Sequence, residues 1–160
     1  MTGHSVEFTR SLPAEADTLA LGRALATCIT PSMVIYLVGE LGAGKTTLAR
    51  GLLRGLGYEG RVKSPTFTLV EVYEFSRLYL YHFDLYRFSD PQELGEAGFR
   101  EYFNPQSVCL VEWPEKSNKA AGLPAADLRV VLQVAGSGRN VAIFADSETG
   151  VSCLKRLPAQ

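Results

Sequence analysis

The sequence predicts an α/β fold on a mixed, mostly parallel central sheet with an antiparallel hairpin, and three observations carry that prediction. Apolar, β-branched runs of strand length alternate with stretches of helical apolar spacing along the 160 residues. At one junction Gly39-Glu40-Leu41-Gly42-Ala43-Gly44-Lys45-Thr46 joins a strand to a helix and matches the phosphate-loop pattern G-x-x-x-x-G-K-[ST] in full. Two pairs of strand-like runs are parted only by short breaks, Ser76-Arg77 and Gly136-Ser137-Gly138, which is hairpin spacing.

Val6 to Thr9 reads as a short first strand, and Ser11 and Pro13, with Glu15 nearby, mark a helix start whose apolar stripe is Leu21, Leu25 and Ile29. Met33 to Val38 is apolar and β-branched, as a buried parallel strand requires. Thr46 to Leu56 has helical spacing, and Gly55 or Gly57 supplies the left-handed residue that ends it. Phe67 to Phe75 and Leu78 to Leu85 are β-branched and aromatic, an antiparallel pair. In Asp90-Pro91-Gln92-Glu93 a cap residue, a first-turn proline and a carboxylate three residues after the cap start a helix, which Gly95 and Gly98 keep short or broken. Val108 to Val111 is another buried strand, Leu123-Pro124 closes the next loop, and Leu128 to Val134 pairs with Val141 to Phe144.

Composition bounds the function. The length suits one domain over residues 1–160 with a sizeable core. Sixteen basic residues against seventeen acidic ones give a formal charge of −1, without a Lys or Arg run to track a phosphate backbone, so direct DNA or RNA binding is not indicated. Met1 to Ser5 lack the basic and apolar regions of a signal peptide, and no run is long enough to span a bilayer, so a cytoplasmic location is expected. Cys28, Cys109 and Cys153 are odd in number and well separated, which favours reduced packing thiols.

The chemistry starts at the loop. Without Cβ atoms, Gly39, Gly42 and Gly44 let the backbone curl its N–H groups around a phosphate at a helix N-terminus. Lys45 adds a point charge for the β- and γ-phosphates, and the Thr46 hydroxyl reaches Mg²⁺. A nucleoside triphosphate is therefore the expected ligand. Glu112 directly follows the buried run from Val108, the place from which a strand-end carboxylate holds the metal directly or through water. Trp113, the only tryptophan, either packs with Pro114 or stands beside the nucleotide or a partner. In His82-Phe83-Asp84-Leu85 the side chains alternate, so His82 and Asp84 share one face. Asp84 suits orienting a water for attack on the γ-phosphate or completing the metal shell, and equally suits a structural pairing with Arg87 or His82. His82 itself reads as structural. In Lys63-Ser64-Pro65-Thr66, Thr66 is the candidate γ-phosphate sensor, against an ordinary turn fixed by Pro65.

Gly39-Glu-Leu-Gly-Ala-Gly-Lys-Thr-Thr47, Ser64-Pro-Thr-Phe-Thr-Leu-Val-Glu71, His82-Phe-Asp-Leu-Tyr-Arg87 and Leu110-Val-Glu-Trp113, in this order, resemble the TsaE family, the bacterial ATPase of tRNA threonylcarbamoyladenosine synthesis. The resemblance implies a three-layer nucleotide-binding fold, Mg-ATP as the ligand and ADP as the product. It further implies association with TsaB and TsaD, which modify adenosine 37 of tRNA, so that tRNA is met only through that complex. Carried over residue by residue, Lys45, Asp84 and Glu112 are the catalytic set, and Thr46 and Glu112 the metal residues. Gly39, Glu40, Leu41, Gly42, Ala43, Gly44, Lys45, Thr46 and Thr47 cradle the phosphates, with Thr66, Trp113 and Arg139 as further nucleotide contacts.

Other classes stay open. A small-molecule kinase uses the same loop but needs an arginine-rich lid, and Arg129, Arg139 and Arg156 are scattered. A GTPase needs Asn-Lys-x-Asp, whereas Asn118-Lys119-Ala120-Ala121 has Ala at the last position. A nucleotide-gated binding module without significant turnover fits every residue named. No arginine is evidently placed to neutralise the transferring phosphoryl group, so slow hydrolysis alone and faster hydrolysis with partners is the expectation.

Overall fold

A computed structural model describes residues 6–62, 70–86, 99–116 and 123–158. Seven strands form one sheet in the order β1-β7-β6-β2-β5-β4-β3. They are β1 (Val6–Leu12), β2 (Val34–Val38), β3 (Val70–Glu74), β4 (Tyr79–Asp84), β5 (Ser107–Glu112), β6 (Leu128–Ala135) and β7 (Gly138–Ala145). β6, β2, β5 and β4 run parallel, the hairpins β6–β7 and β3–β4 are antiparallel, and β1 closes one edge antiparallel to β7. The expected mixed sheet is present, with its parallel strands at the centre.

The helices α1 (Glu15–Ala26), α2 (Lys45–Gly55) and α3 (Glu148–Arg156) cover one face. On β2, Ile35 and Leu37 point to that side and pack with Leu21 and Leu25 of α1, Leu48 and Leu52 of α2, and Cys153 and Leu154 of α3. Tyr36 points the other way, toward a second cluster of Phe83, Leu85, Cys109 and Val111. That cluster is covered by Tyr102, at the end of the 3-10 turn Phe99–Tyr102, by Phe103, which stacks on Phe83 at 5.5 Å, and by Trp113. Helices, sheet and this aromatic cover make three layers. Alternation along each strand is what divides the apolar side chains between them.

Three boundaries differ from expectation. β1 runs on to Leu12 because all seven of its residues pair with β7, so Ser11 lies in the ladder and does not start the helix. The cap of α1 is Ala14, whose N–H donates to the Asp17 carboxylate at 2.9 Å, so the side chain three residues on does the capping. α3 was not anticipated; its signal is Ser147, whose hydroxyl accepts from Gly150 N–H at 3.0 Å. α2 ends at Gly55, with Gly57 in the left-handed region at φ +101°. The helix expected from Asp90, and Thr66 with its turn, lie outside the described residues. The three cysteines are free and buried, and burial pushes the Cys109 thiol up to about 12. Among the described residues no helix is long and apolar enough to cross a membrane.

α1 and α2 approach to backbone contact. A Cβ on Gly22 would lie 2.4 Å from Leu48 O, and one on Gly51 2.3 Å from Leu19 O. Alanine in a helix interior is worth about 1 kcal/mol over glycine, while overpacking against a backbone costs about 1–3 kcal/mol. Gly51→Ala is therefore expected to destabilise the protein in urea denaturation; a rise in midpoint would show that the helices separate freely.

Candidate functional site

β2, β5 and β4 end level with one another, since Leu37 and Asp84 both pair with Glu112 in the ladder. Period-two alternation puts Glu112 on the helix-covered face with Leu110, and His82 and Asp84 there with Leu80. The loop leaves β2 at the same level and opens α2. The first two carboxylates and the loop are thus neighbours by register, although 28 residues separate Asp84 from Glu112.

Gly42 at φ +79° and Gly44 at φ +102° take left-handed conformations that a side chain would strain. Gly44 is the cap of α2, and with no side chain it offers no cap acceptor to the first-turn N–H groups. Arg139, from the β7 end of the last hairpin, donates to Gly42 O at 2.8 Å, Ala43 O at 3.2 Å and Gly138 O at 2.8 Å. A trans peptide sets N–H opposite C=O, so holding Ala43 O aims the Gly44 N–H away from Arg139. The Arg139 guanidinium, expected as a nucleotide contact, bonds two carbonyls of the loop in this structure.

Lys45 is 5% exposed. Its ammonium donates to Gly39 O and sits 3.6 Å from the centre of the Trp113 ring. Burial holds its pKa below the usual lysine range, opposed by Glu112, Glu115 and Asp84. Trp113 reaches this place because its own φ is +58°, a left-handed residue that turns the chain sharply off β5 directly after Glu112. Its ring also lies 4.8 Å from Tyr86, so it faces the site and is not committed to Pro114 alone.

Glu112 is 3% exposed and receives His82 Nε2 at 2.5 Å, with His82 wholly buried. Asp84 accepts from Tyr86 N–H at 3.0 Å. Burial raises the Asp84 pKa, the Tyr86 bond lowers it, Glu112 raises it further, and His82 and Lys45 pull it down. His82 therefore bonds Glu112, not Asp84 as one structural reading had it. Thr46 and Thr47 follow Lys45 in the first turn of α2, half-buried, while Glu40 and Leu41 are exposed at the loop's tip. A cleft of about 200 Å³ lies beside the loop between Ala14, Thr18, Thr47 and Arg139. A second, of about 490 Å³, lies on the other side between Gly39, Glu40, Trp113 and Glu115.

The Thr46 hydroxyl and the Asp84 and Glu112 carboxylates are all hard oxygens, which fit Mg²⁺. Among the described residues no three His, Cys, Asp or Glu side chains form a metal cage. Magnesium characteristically takes one or two carboxylates and completes its shell with phosphates and water.

Fold and loop define a phosphate-loop protein of the α/β nucleotide-binding class. The family model of threonylcarbamoyl adenosine biosynthesis protein TsaE matches residues 12–141. A tRNA threonylcarbamoyladenosine biosynthesis protein TsaE of Haemophilus influenzae is 44% identical over 148 residues, 89% of this chain and 92% of the relative. One of Bacillus subtilis is 41% identical over 128 residues, 80% of this chain and 78% of the relative. The crystal structure of YdiB from Bacillus subtilis superposes with a TM-score of 0.81 at 32% identity, covering 96% of this chain and 95% of that one. The chain belongs to the TsaE family, and its place is in threonylcarbamoyl adenosine biosynthesis.

A raised carboxyl pKa means that the ionised form is disfavoured by folding, so the folded state loses stability as pH climbs through that pKa. Asp84→Asn keeps an acceptor for Tyr86 N–H and removes the charge. The variant is expected to melt above the wild type at pH 7 in metal-free buffer, with the gap closing toward pH 4. Equal melting temperatures at pH 7 would contradict a destabilising charge at this half-buried position.

Proposed function

We propose that the chain binds Mg-ATP at the Gly39–Thr46 loop and hydrolyses it to ADP in the cytoplasm, in support of a TsaB–TsaD enzyme that modifies adenosine 37 of tRNA. The observation that carries the reading is the start of α2. α1 has Glu15 and Asp17 in its first turn, and α3 has Ser147 and Glu148, whereas α2 opens on Gly44 with neither an acidic residue nor a side-chain cap. A helix end left bare in this way, with Lys45 buried beside it, favours an external anion.

The backbone from Gly39 to Gly44 binds the phosphate chain, and Thr47 and Arg139 border the cleft suited to the nucleoside. Lys45 leaves Gly39 O for the β- and γ-phosphate oxygens and keeps its charge among three carboxylates. Thr46 and Glu112 hold the metal, which when bound neutralises charge on the phosphate oxygens. Asp84, its proton affinity raised by burial, orients the attacking water or the metal's water shell. Thr66 senses the γ-phosphate, and Trp113 closes the site over Lys45.

Support for a partner comes from the three arginines that follow Glu112. Arg129 is paired with Asp146 at 2.5 Å, Arg156 with Cys28 O at 2.5 Å, and Arg139 with the loop carbonyls. None of the three is free to neutralise the transferring phosphoryl group, a contribution worth roughly 10³ to 10⁵ in rate. Hydrolysis by the isolated chain is expected to be slow and to rise on adding TsaB, TsaD and tRNA, with no small-molecule acceptor present. Fast turnover unchanged by the partners would defeat this reading, and phosphate transfer to an added acceptor would favour a kinase.

The residue roles have their own test. Lys45→Ala is expected to weaken ATP binding and turnover together, whereas Asp84→Ala and Glu112→Ala lower turnover by about 10²-fold with smaller effects on binding. Wild-type turnover in Asp84→Ala would remove that residue from the catalytic set.

A further inference from the structure

We infer that His82 is a positioning residue for Glu112: it fixes the carboxylate so that one oxygen is bound inside the protein and the other is left to the site. The inference rests on the Mg-ATP reading, in which Glu112 is a metal residue. His82 is 0% exposed and Glu112 3%, and Nε2 meets Oε2 at 2.5 Å. Both side chains stand on the helix-covered face, two register positions apart, because His82 pairs with Leu110 and Asp84 with Glu112. Facing a carboxylate, which can only accept, Nε2 carries a proton and donates it.

Nδ1 is the one buried side-chain polar atom without a hydrogen-bond partner among the described residues. A core position that needed only volume would be filled by leucine or phenylalanine, without an unsatisfied nitrogen. Glu112 bonds His82 through Oε2, and among the described residues no hydrogen bond engages its Oε1, the oxygen left for the site. One oxygen tied down at 2.5 Å holds the carboxylate rotamer, and the free one is then presented at a set angle beside Lys45. Groups that orient a metal's ligand without touching it characteristically change metal affinity by about 10- to 100-fold when removed.

The test compares the full chain with His82→Gln, His82→Asn and His82→Phe, by calorimetric affinity for ADP and ATP in excess Mg²⁺ and in EDTA, with thermal melting as the control for folding. Glutamine places its amide nitrogen where Nε2 stands, asparagine does not reach, and phenylalanine has no donor. In EDTA all variants are expected to bind nucleotide within about twofold of wild type, since the loop is untouched. The tightening produced by Mg²⁺ is expected to fall about tenfold or more in His82→Phe and His82→Asn, and to survive within about threefold in His82→Gln. Full tightening in a folded His82→Phe, or equal losses in Gln and Asn variants, would overturn the role; the Gln and Asn pair decides it if His82→Phe does not fold. A wild type that binds no nucleotide, or binds it indifferently to Mg²⁺, refutes the Mg-ATP reading itself, an outcome separate from a failure at His82 alone.

Discussion

A lysine ammonium buried to 5% exposure needs compensation, and the centre of this protein is arranged to provide it. Lys45 has a carbonyl at Gly39, an aromatic face at Trp113, and the carboxylates of Glu112, Glu115 and Asp84 within range. Each compensating group depends on a different part of the fold. Gly39 follows β2, Glu112 ends β5, Asp84 ends β4, and Trp113 reaches the ammonium only through a left-handed turn after β5. The level ending of three parallel strands is therefore an electrostatic requirement as much as a topological one. An anion at the bare start of α2 would compete with Gly39 O for the same ammonium, which is how a compact resting arrangement and a binding site can share one set of atoms.

Most of the fold was legible because it is written in short-range patterns. Period-two alternation gave β4 and its division of His82 and Asp84 from Phe83 and Leu85, and turn residues gave both hairpins. The loop was legible because each residue type in it has a local geometric reason. What escaped reading depends on tertiary pairing. The length of β1 is set by β7, more than a hundred residues away, and the capping of α1 by a carboxylate that sequence inspection assigned no role. α3 was missed although Ser147 and Glu148 announce it, because a short C-terminal run with few apolar residues gives a weak periodic signal.

The site shows the same division. Lys45, Glu112 and Asp84 were singled out from motif and strand position, and register brings the latter two side by side. The bond from His82 to Glu112 needed knowledge that β4 neighbours β5, which no local pattern states. Arg139 was singled out for a basic residue after a turn, but only coordinates reveal that its guanidinium is bound to Gly42 O and Ala43 O. The left-handed backbone at Trp113 had no sequence signal at all, since tryptophan is a poor residue for that region.

The grip of Arg139 on the loop also has a consequence for how the molecule is made. Residues 39–46 leave the ribosome long before residue 139, and β6, which flanks β2, is made late as well. A nascent chain that has emerged only as far as β5 holds every residue of the loop motif but lacks both the flanking strand and the guanidinium that sets two loop carbonyls. The loop shape seen here thus depends on β6 and β7 as well as on the motif itself.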